Sequence, residues 1–322
     1  MSVARGICRF GLGSLSLPVT GGAYDGRRIA PSSCMLPISR ILVPVDFSER
    51  CLGMMPYVRA IAERYNSEVN LLHVVNRVYA IPAAGITEPA LMPVPQRVVT
   101  EITKQIEEFA ATELQGVTVR RLVYEGDPES QIAGFAQDVQ LVVMATRGYG
   151  SFRRFLIGSV AAKVLHDVSC PVLTGVQMEE RPPSSKVNFS TIVCAIDLSP
   201  HDRDTLAWAS KFARDFGARL SVVHVEPSIS AGLYITFSSQ VKQEMEQMAR
   251  EEVRRLQAEA GADSVSICIR EGDIAREVCS FAQSIGADML IIGRGDQCAA
   301  TGRLRTNAYS IIRQAPCPVL SV

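Results

Sequence analysis

The residues best suited to chemistry lie at the ends of short apolar runs. Behind Leu141 to Met144 comes Ala145-Thr146-Arg147-Gly148, then nine residues, then Gly158-Ser159-Val160 opening a helical stretch. Glycines let backbone amides approach an anion closely, Ser159 can cap the helix or donate its hydroxyl, and a helix N-terminus adds roughly half a positive charge. No acid occurs between Leu141 and His166, whereas Arg147, Arg153, Arg154 and Lys163 bring four cations. The pattern suits a phosphate, although a glycine-rich turn with a capping serine has the same signature. Asp46, in Pro44-Val45-Asp46-Phe47-Ser48, ends another apolar run. Its carboxylate can accept hydrogen bonds from ribose hydroxyls or a base amino group, or can cap the next helix. Val74 closes a third run, where it offers backbone groups and an apolar wall, or plain core packing. His73 and His224 have no fixed acid or nucleophile beside them, which favours buried structural imidazoles.

For these residues to meet, the runs that carry them must be parallel strands whose carboxyl ends share one edge of a sheet. Short β-branched runs at 40–45, 68–75, 117–124, 141–145 and 172–176 alternate with helical periods at 49–65, 94–113, 128–137 and 159–166. The central runs are apolar throughout, as strands covered on both faces are. The expectation is a doubly wound α/β domain with its ligand beyond the strand ends, where the strand order reverses.

That domain is made twice. Ile41 to Ser48 matches Ile192 to Ser199 at an offset of 151, and Leu72-His73-Val74 matches Val223-His224-Val225 at the same offset. Glu125-Gly126-Asp127 returns as Glu271-Gly272-Asp273 at an offset of 146, and Cys170-Pro171-Val172-Leu173 as Cys317-Pro318-Val319-Leu320 at 147. Landmarks in one order with drifting offsets mark two copies that differ by loop insertions. The expected organisation is an extension over 1–37, a domain over 38–176, a polar Pro/Ser linker over 177–187 and a second domain over 188–322. The extension holds Arg5, Arg9, Arg27 and Arg28 against Asp25 alone, which fits a targeting segment, a disordered tail or a start at Met35.

Composition closes off other classes. The 322 residues carry 33 Lys+Arg and 33 Asp+Glu, so the electrostatic footprint of a nucleic-acid binder is missing. No run approaches the ~18 apolar residues of a membrane-spanning helix. Nine cysteines without a CxxC pair suggest reduced thiols and a cytoplasmic location, and four histidines without HExxH argue against zinc hydrolase chemistry. No GxxxxGK[ST] loop is present, which excludes a Walker-type ATPase.

Val-Pro-Val-Asp-Phe-Ser at 43–48, Leu-Leu-His-Val-Val at 71–75, Gly126-Asp127-Pro128, the glycine stretch from Thr146 to Val160 and Cys170-Pro171-Val172-Leu173 together resemble the universal stress protein family, over 38–176 and again over 188–322. The resemblance implies, for each copy, a Rossmann-like five-stranded parallel sheet similar to adenine-nucleotide alpha-hydrolase folds, with ATP, and Mg2+ alongside it, bound in some members. The nucleotide-binding members carry Gly-x2-Gly-x9-Gly-(Ser/Thr), which Gly148, Gly158 and Ser159 match, with Arg147 inside the motif and Val160 following it. Asp46 and Val74, with Pro44 and Val45 beside Asp46, fall at adenosine-contacting places. Ala145 replaces the first glycine, which is tolerable where φ is negative. In the second copy, counting back from Cys317 puts Arg305-Thr306 where Gly158-Ser159 were, and counting forward from the fourth strand puts Gly293 and Asp296 at the places of Ala145 and Gly148. Neither count restores the motif, so Asp197 is expected to stand without an anion nest.

The resulting expectation is a stress-response regulator or sensor with one adenine-nucleotide site, in the first half. A slow ATP hydrolase and a nucleotide-free interaction module are the alternatives. Each copy ends in an edge strand, and the family implies dimerisation there, so the two copies are expected to pack as an intramolecular pseudo-dimer, with a further homodimer open.

Overall fold

The structure is a computed structural model that describes residues 36–76, 79–80, 90–91, 94–146, 157–175, 186–227, 239–262, 265–294 and 306–322. Several expectations fall outside these residues: the extension before Leu36, most of the linker, Arg147, Gly148, Arg153 and Arg154, and in the second copy Asp296 and Arg305.

The first half runs β1 (Arg40–Pro44), α1 (Glu49–Gly53), α2 (Met55–Tyr65), β2 (Glu68–Val75), β3 (Tyr79–Ala80), β4 (Ala90–Leu91), α3 (Gln96–Glu108), β5 (Thr118–Glu125), α4 (Pro128–Ala136), β6 (Leu141–Ala145), α5 (Ser159–Asp167) and β7 (Val172–Gly175). The second runs β8 (Thr191–Ile196), α6 (Asp202–Phe216), β9 (Arg219–Pro227), α7 (Ser239–Ala260), β10 (Ser266–Gly272), α8 (Ile274–Ser284), β11 (Met289–Ile292), α9 (Thr306–Gln314) and β12 (Val319–Ser321). Apart from the small β3–β4 pair, the described strands form one ten-stranded sheet in the order β10-β9-β8-β11-β12-β7-β6-β1-β2-β5. Each half is parallel within itself, and its order reverses beside its first strand, β1 or β8.

The halves join through β7 and β12, which run antiparallel with Leu173 opposite Leu320. Two side-chain bonds repeat across this seam: Thr174 Oγ1 donates to Val319 O (3.1 Å) and Ser321 Oγ to Val172 O (3.2 Å). Period-two alternation sorts the strands onto two continuous cores. Ile41, Val43, Leu71 and Val143 share one face with Ile192, Cys194 and Phe212. Leu42, Leu72 and Val142 share the other with Val193, α5 and α9 residues. Burial on both faces is why the central runs contain almost no polar residues.

Two helices differ from the sequence expectation. The period over 49–65 is split at Met54, because Pro56 has no N–H for the Leu52 carbonyl, and Met54 N turns to Cys51 O at 3.1 Å. The helix expected over 94–113 stops at Glu108, where Phe109 takes an extended conformation and sets its ring edge-on to Phe47 at 5.7 Å. The repeated Glu-Gly-Asp motif is a turn and cap: Gly126 and Gly272 have φ of +146° and +148°, which favour glycine, and Asp127 and Asp273 cap α4 and α8.

Candidate functional site

The strand-order reversal of the first half opens a cleft of about 410 Å³ at the carboxyl ends of β1, β2 and β6. Its walls include Pro44 at the end of β1 with Val45 and Asp46 after it, Leu72, His73 and Val74 on β2, Met144, Ala145 and Thr146 at β6, and Gly158, Ser159, Val160 and Ala161 at the start of α5. Eight of the ten site residues read from the sequence therefore meet in one cavity; Arg147 and Gly148 lie outside the described residues.

Asp46 does not cap the helix that follows. Ser48 does, accepting from Cys51 N at 3.1 Å, while Asp46 Oδ1 takes both the N–H (3.0 Å) and the hydroxyl (2.7 Å) of Ser48. These bonds fix the half-buried carboxylate at the cleft wall and engage only Oδ1. Phe47 between them adopts φ +62°, as does its counterpart Leu198, so this strained turn belongs to the fold of both halves. Ala145 is the last residue of an ordinary extended strand, so its methyl group carries no conformational penalty.

At the opposite wall, Gly158 occupies the N-cap of α5 with φ −64° and no side-chain cap bond. Ser159 is thus the first helical residue, exposed at the cleft, and does not cap the helix. The first-turn amides of α5 have no intrahelical acceptors and line the cleft with the positive end of the helix dipole. Lys163, one turn on, faces solvent beside Asp167 at 3.7 Å.

The sequence passed over several wall residues. His73 was legible as a structural imidazole, and its Nδ1 donates to Val45 O at 2.7 Å while its ring packs on Phe47 at 4.6 Å. Burial lowers its pKa, which keeps the ring neutral with Nε2 as an acceptor. Cys51 also lines the cleft, its thiol pushed up to about 12 by burial and the nearby Asp46. Alignment of the two copies is the signal that singles it out, because its counterpart is Asp202.

The equivalent place in the second half encloses about 70 Å³. The register of β11 on β8 makes Gly293 the counterpart of Ala145 and Arg294 that of Thr146. Asp202, 3% exposed, accepts from Asp197 N (3.0 Å) and Ser199 N (2.8 Å), and burial raises its pKa to about 6. Asp197 itself is exposed. A Cβ on Gly293 would stand 3.1 Å from Thr205 Oγ1, so this glycine serves packing around Asp202 and Thr205.

The model of the universal stress protein family matches residues 37–174 and again 188–322. The chain belongs to the universal stress protein family. A single copy is 31% identical over 141 residues to a universal stress protein of Methanocaldococcus jannaschii, covering 42% of this chain and 79% of that protein. It is 25% identical over 146 residues to one from Bacillus subtilis, covering 42% and 97%. As a fold, the whole chain is similar to a crystal structure of a universal stress protein from Archaeoglobus fulgidus, with a TM-score of 0.58 at 22% identity and coverage of 88% and 95%. A functionally unknown protein of Pseudomonas aeruginosa gives a TM-score of 0.61 at 19% identity, covering 88% and 92%. Among the described residues no helix of this universal stress protein is long and apolar enough to cross a membrane.

Proposed function

We propose that this stress-response family member binds one adenine nucleotide, ATP, in its first-half cleft and acts as a cytoplasmic regulator or sensor. The observation that carries the reading is the cleft of about 410 Å³ with a carboxylate at one wall and the uncapped N-terminus of α5 at the other. That volume lies within the ~300–1,000 Å³ of ligand pockets, whereas about 70 Å³ in the second half has room for roughly two waters at ~30 Å³ each. The two walls also match the two ends of the ligand. Asp46 would accept from ribose hydroxyls or the adenine amino group, with Pro44, Val45 and Val74 as the apolar wall. The amides of Ser159 and Val160, helped by the close approach that Gly158 permits, would hold phosphate oxygens, and Arg147 and Gly148 belong to the same motif. Among the described residues no group of three or more His, Cys, Asp or Glu is placed to hold a metal, so Mg2+ would arrive on the phosphates.

The pairing of β7 with β12 supports a further part of the reading, that the two halves stand in for the two subunits of a dimer within one chain. A compact scattering profile is expected, and an elongated one would contradict it. Titration calorimetry with ATP on the full chain tests the nucleotide reading: one ATP per chain is expected, with phosphate release negligible over hours. Steady release would make the protein a hydrolase, and no heat of binding would leave it an interaction module.

A further inference from the structure

Helix α5, whose first turn lines the cleft, is gripped at two other places by the opposite half of the molecule. The guanidinium of Arg294 donates to the carbonyls of Val168 (2.7 Å), Ser169 (3.2 Å) and Cys170 (2.5 Å), which follow the C-terminus of α5. Midway along the helix, Tyr309 Oη donates to Ala162 O at 3.1 Å. Arg294 is 6% exposed, and a charge is buried this far only where bonded partners replace water. Three carbonyls and the negative end of the α5 dipole do so here. Thr146, the counterpart of Arg294, turns its hydroxyl to Gly175 O within its own half at 3.0 Å, and Ala162, the counterpart of Tyr309, offers no side-chain donor.

We propose that the second half braces the anion-facing helix of the first, with Arg294 and Tyr309 as positioning residues for the nucleotide; this rests on the reading that the first-half cleft binds one. A nine-residue helix is about 13 Å long at ~1.5 Å per residue, so Arg294 acts on the cleft through the rigid body of α5 and touches no ligand. The small second-half cleft then has a use, because the residue two places beyond its fourth strand holds the other half's helix in place. Linkage requires the coupling to be mutual: a nucleotide that tightens α5 must also tighten the contacts of Arg294 and Tyr309.

The test uses the full chain and four forms: wild type, Arg294→Met, Arg294→Lys and Tyr309→Phe. ATP affinity is read by calorimetry, thermal unfolding is followed without nucleotide, and hydrogen exchange over 306–322 is compared with and without ATP. The expected result is about a tenfold loss of affinity for Arg294→Met, inside the ~5- to 150-fold range of site couplings, with partial rescue by lysine and about a twofold loss for Tyr309→Phe. ATP should add exchange protection over 306–322 in the wild type and not in Arg294→Met. Folded variants that bind ATP as the wild type does, even with lowered melting temperatures, would reduce the contacts to simple stapling and overturn the proposal. Should Arg294→Met not fold, Tyr309→Phe decides with the same readouts. A wild type that binds no ATP would instead remove the nucleotide reading, and this inference with it.

Discussion

The two halves share their strand order, their strained turn after the first strand and their Asp-x-Ser bonding, yet one encloses a cleft of about 410 Å³ and the other about 70 Å³. The difference lies in a few side chains. Where the first half has Cys51, the second has Asp202, whose carboxylate reaches back to the backbone of Asp197 and Ser199 and occupies the site from within. Val160 of the first cleft becomes Asn307, and Thr146 becomes Arg294, which leaves its own half for the other. Duplication thus preserved the frame and let the two strand-order reversals diverge. The glycines mislead: the glycine expected at Ala145 stands in the second half at 293, where it makes room for Thr205.

The comparison breaks most readily at Gly158. Gly158→Arg, which copies the residue aligned with it at 305, should lower ATP affinity on the order of a hundredfold by obstructing the α5 amides, equivalent to about one charge-assisted hydrogen bond. Equilibrium binding unchanged by it would remove α5 from the site. Next in size, Asp46→Ala should weaken binding by ~1–3 kcal/mol, since a bonded carboxylate at the wall is lost. Asp197→Ala, an exposed residue of the small cleft, should change affinity less than about twofold. Equal losses from the two, or a stoichiometry near two, would mean that the halves are functionally alike.

A third measurement sharpens the second half alone. Asp202 holds its proton more tightly when folded, with a pKa of about 6 against roughly 3.9 unfolded. Its contribution to stability is therefore full below about pH 4 and lost as pH rises through about 6, a span of roughly 3 kcal/mol. Asp202→Asn should flatten this component. The check is the wild-type minus variant difference in denaturant unfolding at pH 4 and pH 7, and a difference independent of pH would show that Asp202 is not the buried acid described above. The smallest effect is expected from Ala145→Gly, within about threefold in ATP affinity, because the methyl sits on an extended strand. A large loss would show that the alanine shapes the cleft wall.

Much of this was readable locally. The strands over 68–75 and 141–145 have the bounds that their apolar runs suggested, because a strand buried on both faces leaves a continuous hydrophobic signature. Asp46, Val74 and Ser159 could be placed at the cleft because the ends of apolar runs and a glycine before a helical stretch are written in adjacent residues, although neither Asp46 nor Ser159 caps its helix. The break at Met54 was visible as Pro56 and was overridden by a strong helical period. Cys51 and His73 were not legible as cleft walls, since a cysteine on a helix and a histidine in a strand look like core until the cavity is seen.

By itself the sequence determined the doubly wound frame, its duplication and the family, because periodicity, turn residues and ordered motifs are local and are written twice. Only the tertiary structure decided what the two frames do to each other. The seam of β7 against β12 falls at the edge strands where the family resemblance placed it, whereas the reach of Arg294 to Val168 across 126 residues and the turning of Asp202 into its own cleft are long-range or rotameric choices. No local pattern encodes them, because an arginine after a strand reads as a solvated cation and an aspartate opening a helix reads as a cap until the surrounding carbonyls and amides are placed around it.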